Sequence, residues 1–170
     1  MIICDNMSKL KNTYKERAQI NTNPMGKINL QPKTDPISTK KYKVTIIQLK
    51  SVLEKAWCRK TCYPPSQEMW TPETPCSGQC AVTSLVVQEI LGGEIKYCKH
   101  LHHYWNIFPD GKELDFTRAQ FPRNVKPCSD AIVLREYILT GGSMTIDSAR
   151  TRERYKLLKQ RVEKFLADKL

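Results

Sequence analysis

Cys80 sits where a cysteine can serve as a nucleophile. The segment Gly78-Gln79-Cys80-Ala81-Val82-Thr83 leads into a stretch ending at Leu91 in which Ala81/Val82, Leu85/Val86 and Ile90 recur at helical spacing. The cysteine therefore falls on the first turn of a buried helix. Unpaired backbone N–H groups and the positive end of the helix dipole favour a thiolate there, and the same N–H groups can hold a developing oxyanion. Gly78 is expected to let a substrate backbone approach, and Gln79 to add a side-chain donor to the oxyanion. Downstream, His103 has the chemistry of a general base and Asp115 that of the carboxylate that orients it. Taken singly, each residue has a plainer reading. Cys80 could be a packed helix-start thiol, His103 a hydrogen-bonded sheet histidine, and Asp115 a salt-bridge partner of Arg118. Trp105, Asn106 and Gln120 read as packing around the site, with Asn106 also a candidate for substrate binding.

The chain has seven cysteines, an odd number that argues against a disulfide framework. A second chemistry competes for Cys80. Cys58-x3-Cys62 and Cys76-x3-Cys80 form two pairs separated by thirteen residues, which resembles a four-thiolate zinc site with His100, His102 and His103 as spare ligands. Zinc knuckles prefer two intervening residues and a glycine turn, and neither pair has them. The two readings exclude one another, because a zinc-bound Cys80 is no free nucleophile.

The elements that must bring these residues together are legible. Residues 1–41 are rich in Lys, Asn and Thr, carry Pro24, Gly26, Pro32 and Pro36 as breakers, and read as a mobile basic extension with a short helix near Ser8–Ile20. A single domain is expected over 42–170. Thr45 is a plausible N-cap for a helix over Ile46–Trp57, with Ile46, Leu49, Leu53 and Trp57 at helical spacing. Thr61–Ser77 holds four prolines and reads as a loop anchored by Trp70. Gly92-Gly93 stops the Cys80 helix, and Glu94–Tyr97 reads as a short strand. His103–Phe108 and Lys112–Thr117 flank Pro109-Asp110-Gly111, a hairpin signal with glycine in the left-handed position. If Phe108 pairs with Lys112, Trp105 falls opposite Asp115 and His103 opposite Thr117. His103 and Asp115 are then diagonal neighbours on one face, and His102 points to the other. Residues 128–139 are expected to be helical. Residues 148–168 form an amphipathic helix with Tyr155, Leu158, Val162 and Phe165 facing inward.

Gly78-Gln79-Cys80-Ala81-Val82-Thr83, Gly92-Gly93-Glu94, His103-Tyr104-Trp105-Asn106, Pro109-Asp110-Gly111 and Asp115-Phe116-Thr117-Arg118-Ala119-Gln120-Phe121, in this order and spacing, resemble the YunG-like family of uncharacterised bacterial proteins. The resemblance covers Leu49 to Phe121 and extends to the closing helix at Arg154, Tyr155 and Leu158; the first 40 residues do not share it. It implies a compact intracellular α+β domain with a papain-like look, and it brings no substrate with it.

The formal charge of +11 is not spread over the chain. Residues 1–43 hold nine Lys/Arg against three acids, residues 150–170 eight against three, and residues 44–149 eleven of each. A nucleic-acid reader needs a basic stripe on its folded face with aromatics for stacking, so nucleic acid is expected to bind only weakly and electrostatically, through the basic ends. No apolar run approaches the roughly 20 residues of a membrane span. Met1-Ile2-Ile3-Cys4-Asp5 carries an early acid and no apolar h-region, so a cytoplasmic protein is expected.

The sequence reads as an α+β domain in a papain-like or transglutaminase-like arrangement, with the cysteine-bearing helix packed on a small antiparallel sheet. It leans towards an enzyme, a cysteine-dependent hydrolase or acyl transferase acting on an amide, ester or thioester of a small-molecule or peptide-like substrate, with no cofactor. The alternatives are a non-catalytic binding module and a small domain with a structural zinc.

Overall fold

A computed structural model describes residues 44–128, 131–142, 147 and 149–168. The basic extension expected over 1–41 lies outside the described residues. Thr45 begins the first helix as expected. Its Oγ1 accepts from the Gln48 N–H at 3.2 Å while its own N–H donates to Gln48 Oε1 at 2.9 Å, so two otherwise unpaired donors are satisfied reciprocally. This helix, α1 (Ile46–Ala56), buries Leu49, Val52, Leu53 and Ala56. Two single 3-10 turns, Arg59–Thr61 and Pro64–Ser66, carry the chain through the proline-rich loop, where Trp70 Nε1 donates to the Pro75 carbonyl at 3.0 Å.

The second helix, α2 (Cys80–Leu91), begins on Cys80 and ends where Gly92 leaves helical geometry with φ of 78°. It is buried along Val82, Leu85, Val86 and Val87. Strands β1 (Glu94–Cys98), β2 (His103–Ile107) and β3 (Glu113–Leu114) follow. The turn between β2 and β3 has the expected chemistry: Phe108 N–H donates to the Lys112 carbonyl at 2.9 Å, and Gly111 takes φ of 80°. Asn106 stands opposite Leu114 and Ile107 opposite Glu113, so the hairpin has the register expected from its turn.

Residues 128–139 depart from expectation. Ala131–Val133 form strand β4 on the free edge of β1, with Ile95 opposite Val133, and only Arg135–Leu139 are helical, as α3. Small and β-branched residues satisfy an unpaired sheet edge better than they continue a helix. The result is a four-stranded antiparallel sheet in the order β3-β2-β1-β4. The closing helix, α4 (Thr151–Ala167), buries Tyr155, Leu158 and Val162 with Phe165 half-buried at the margin. It packs against both α1 and α2, and α2 packs on β2. The described residues are thus an α+β assembly, none of whose helices is long and apolar enough to cross a membrane.

One buried bond ties α1 to the first turn of α2, where Cys80 sits. Trp57 Nε1 donates to Thr83 Oγ1 at 2.9 Å with both groups out of solvent. Replacing Thr83 by the isosteric valine keeps the volume and orphans the indole N–H, which costs about 2 kcal/mol. Urea denaturation of Thr83→Val should show that loss with an unchanged m value. A midpoint equal to that of the unmodified chain would mean the bond contributes nothing.

Candidate functional site

Asp115 directly follows β3 and is fixed by its own backbone neighbourhood. Its Oδ1 accepts from Thr117 N–H at 3.0 Å and from Thr117 Oγ1 at 3.1 Å, a turn of the kind aspartate makes two residues ahead. The other oxygen, Oδ2, lies 2.7 Å from His103 Nε2, a short charge-assisted contact. Arg118 does not compete for the carboxylate. Its guanidinium donates to the carbonyls of Phe121, Pro122, Arg123 and Val125, which closes the loop behind the site.

His103 is fully buried at the start of β2. Its ring stacks on Trp105 with centroids 5.5 Å apart and meets the edge of Phe121 at 4.9 Å. With Nε2 taken by Asp115, Nδ1 faces the Gln120 amide nitrogen at 3.1 Å. In the neutral ring, Nε2–H donates to the carboxylate and Nδ1 accepts from Gln120. In the protonated ring, Nδ1–H needs an acceptor, which the Cys80 sulfur or a turned Gln120 amide can supply. Burial is the largest influence on this imidazole and pushes its pKa down. Hydrogen bonds with Asp115 and Cys80, and negative charge on both, outweigh it and hold the ring up at about 9. The imidazole is therefore mostly protonated at neutral pH.

Cys80 meets this pair from the first turn of α2, with its thiol donating to the His102 carbonyl at 3.8 Å. Cys80 and Gln120 line the same cleft of about 410 Å³, together with Tyr63, Tyr104 and Arg154. Of the three residues expected from sequence, Asp115 is bonded to His103, and Cys80 is among the groups that raise the pKa of the same imidazole. His102 lies just before β2 with φ of 48°, and its Nδ1 pairs with the Tyr97 hydroxyl at 3.1 Å rather than with the carboxylate.

Other expectations are corrected. Gln79 is fully buried as the residue before α2, and its Nε2 donates to the Cys58 carbonyl at 3.1 Å, so this donor anchors the proline-rich loop rather than facing an oxyanion. Asn106 is likewise buried and donates to the Ser84 carbonyl at 3.1 Å, which clips β2 to α2 instead of reaching into the cleft. Gly78 lines the cleft beside Cys80, and glycine is also required there for a reason not anticipated from the sequence. A Cβ there would meet Cys62 Sγ at 2.6 Å, and φ is +67°, so the glycine answers to its own neighbours. The four-thiolate alternative of Cys58, Cys62, Cys76 and Cys80 is not assembled: among the described residues no group of three or more His, Cys, Asp and Glu side chains could hold a metal ion. Burial instead pushes the Cys62 thiol up to about 11, against the pull of Arg154, which leaves it protonated beside Cys80.

Gln120, read from the sequence as lying around the site, is a hydrogen-bond partner of His103, while Arg154 was not legible as a contributor. Gln120 sits on a single 3-10 turn, Arg118–Gln120, that no periodicity marks. Arg154 belongs to the buried stripe of α4, one position before Tyr155 and four before Leu158. A charged residue on an apolar stripe was the available signal.

The family profile described as "YunG protein" matches residues 45–167, from the cap of α1 to the end of α4. The chain is also similar to the "Uncharacterized protein YunG" of Bacillus subtilis (strain 168), at 36% identity over 75 residues, which is 43% of this chain and 60% of that protein. The alignment thus spans less than two thirds of that relative. No solved structure matches the chain. With most of its length matched by the profile, the chain belongs to the YunG family.

Proposed function

We propose that this chain is a cysteine-dependent hydrolase or acyl transferase acting on an amide, ester or thioester, in a papain-like or transglutaminase-like arrangement. The observation that carries the reading is the His103 imidazole, held at 2.7 Å by Asp115 on one nitrogen and raised by Cys80 as well as by that carboxylate. A packed sheet histidine needs the first partner only. In the reaction, the Cys80 sulfur attacks the carbonyl carbon while His103 holds the thiol proton. The carbonyl π electrons move to oxygen, where backbone N–H groups of the first turn of α2 offset the charge. On collapse the carbon–leaving-group bond breaks, and the imidazolium gives its proton to the leaving atom. Water or an acceptor nucleophile then attacks the thioester with His103 as base, releasing the acyl product and restoring the thiol. Asp115 keeps Nε2 occupied, so that Nδ1 remains the working nitrogen.

4-Nitrophenyl acetate tests this with a generic acyl donor. Intact-mass measurement should find a single acetyl group, mapped to Cys80 and absent in Cys80→Ser. Acetylation spread over several residues, or unchanged in Cys80→Ser, would leave Cys80 without a nucleophilic role and favour a binding module.

A further inference from the structure

The wall of the Cys80 cleft contains a buried cation with no counter-ion among the described residues. Arg154 is 5% exposed, and its hydrogen bonds go to neutral acceptors: Nε to the Ala149 carbonyl at 2.9 Å, Nη1 to the Thr61 carbonyl at 3.2 Å, and Nη2 to Thr151 Oγ1 at 3.3 Å. A guanidinium has five N–H groups, so three such bonds leave others to be met. No carboxylate among the described residues ion-pairs with it. Asp147 pulls on its charge, but the two Asp147 oxygens accept from the N–H groups of Thr151 and Arg152 at 2.6 and 2.8 Å. The Tyr63 ring, 5.9 Å from Cζ, offers only its face. Among the described residues, no aspartate or glutamate lines the cleft.

Taking a charge out of water is costly unless it is paired, and buried charges are ordinarily found with partners. Burial is the leading influence on the Arg154 pKa and lowers it; charge on Cys80 opposes this, so the two groups sense one another across the cleft. Arginine is also the side chain whose planar fork fits a carboxylate in two parallel bonds. We infer that the cleft takes acyl substrates bearing a free carboxylate, which Arg154 holds while Cys80 meets the acyl carbon. The inference rests on the nucleophilic reading of Cys80 and adds the class of substrate to it.

Iodoacetate and iodoacetamide separate the two ideas, because both alkylate the same sulfur and only the first carries a carboxylate. Their rate ratio at Cys80 in the full chain cancels the amount of thiolate, with mercaptoethanol as the uncharged reference. A charged hydrogen bond predicts an acetate-to-amide ratio about tenfold or more above the reference, falling back to the reference in Arg154→Gln and largely kept in Arg154→Lys. Succinate in millimolar excess should also protect Cys80 of the unmodified chain from iodoacetamide, where sodium chloride of equal ionic strength does not; this measurement needs no variant to fold. A Cys80 ratio equal to that of mercaptoethanol overturns the inference, as does a raised ratio that survives Arg154→Gln, or equal rates in the two salts. A raised ratio together with iodoacetamide rates indifferent to His103 would instead sink the acyl-transfer reading and leave an anion site.

Discussion

Alkylation of Cys80 by iodoacetamide at pH 7 should slow by about tenfold to thirtyfold when His103 is replaced. An ordinary cysteine carries only a few per cent of thiolate at that pH, and thiolate is the reacting species. In this chain the imidazole beside Cys80 is held up at about 9, so it can take and keep the thiol proton as the sulfur reacts. Without it, Cys80 must fall back towards the reactivity of an ordinary thiol. Turnover of an acyl substrate should fall further, by about 10²–10⁴, because the leaving group also loses its proton donor. His103 is fully buried between Trp105 and Phe121, so alanine at this position also removes packing. His103→Gln is the stricter variant. It fills most of the space and can still donate to Asp115, but it carries no titratable proton. The measurement is the second-order rate at Cys80 by peptide mass spectrometry, with the circular dichroism of each variant recorded alongside. If His103→Gln folds and Cys80 reacts at the unmodified rate, the imidazole has no hold on the sulfur and the proposed mechanism fails.

How much of this site could be read from the sequence depends on whether local chemistry or long-range pairing fixes each part. The Pro109-Asp110-Gly111 turn determined the hairpin register, and with it the parity that brings His103 and Asp115 to one face. Thr45 and Gly92 marked helix ends because capping is a local interaction. β4 was missed because three residues gain their strand geometry only by pairing with β1, some 35 residues earlier in the chain. The two glutamines are likewise placed by contacts distant in sequence. Gln79 adjoins Cys80 in sequence, but as the residue before α2 it turns its amide to the Cys58 carbonyl 21 residues back. Gln120 reaches His103 only because the Asp115–Thr117 turn and the Arg118 contacts fold the following loop back over the sheet.

Between pH 6.5 and about 9 the chain should lose stability through the same histidine. Its pKa is raised from 6.5 in the unfolded reference to about 9 in the folded protein, so the folded state binds the proton more tightly. The stabilisation is complete below 6.5 and is lost as the pH rises through about 9. At 1.36 kcal/mol per unit, a shift of this size corresponds to about 3 kcal/mol over the window. The groups that face the imidazole account for the direction: Asp115 at 2.7 Å and Cys80 hold the charged form, while Gln120, Trp105 and Phe121 are neutral. The buried Cys62 thiol works at higher pH, since its own shift runs from 9.0 to about 11 and leaves the window clear. Denaturant midpoints measured in half-unit steps should therefore decline between pH 6.5 and 8.5 in the unmodified chain. Asp115→Asn removes the strongest support of the charged ring, so its profile should begin lower and run nearly flat. A flat profile in the unmodified chain, or the same slope in Asp115→Asn, would mean that the carboxylate does not hold the proton on His103. The imidazole would then be neutral at physiological pH, and Cys80 would give up its proton only as it reacts, with no ion pair formed beforehand.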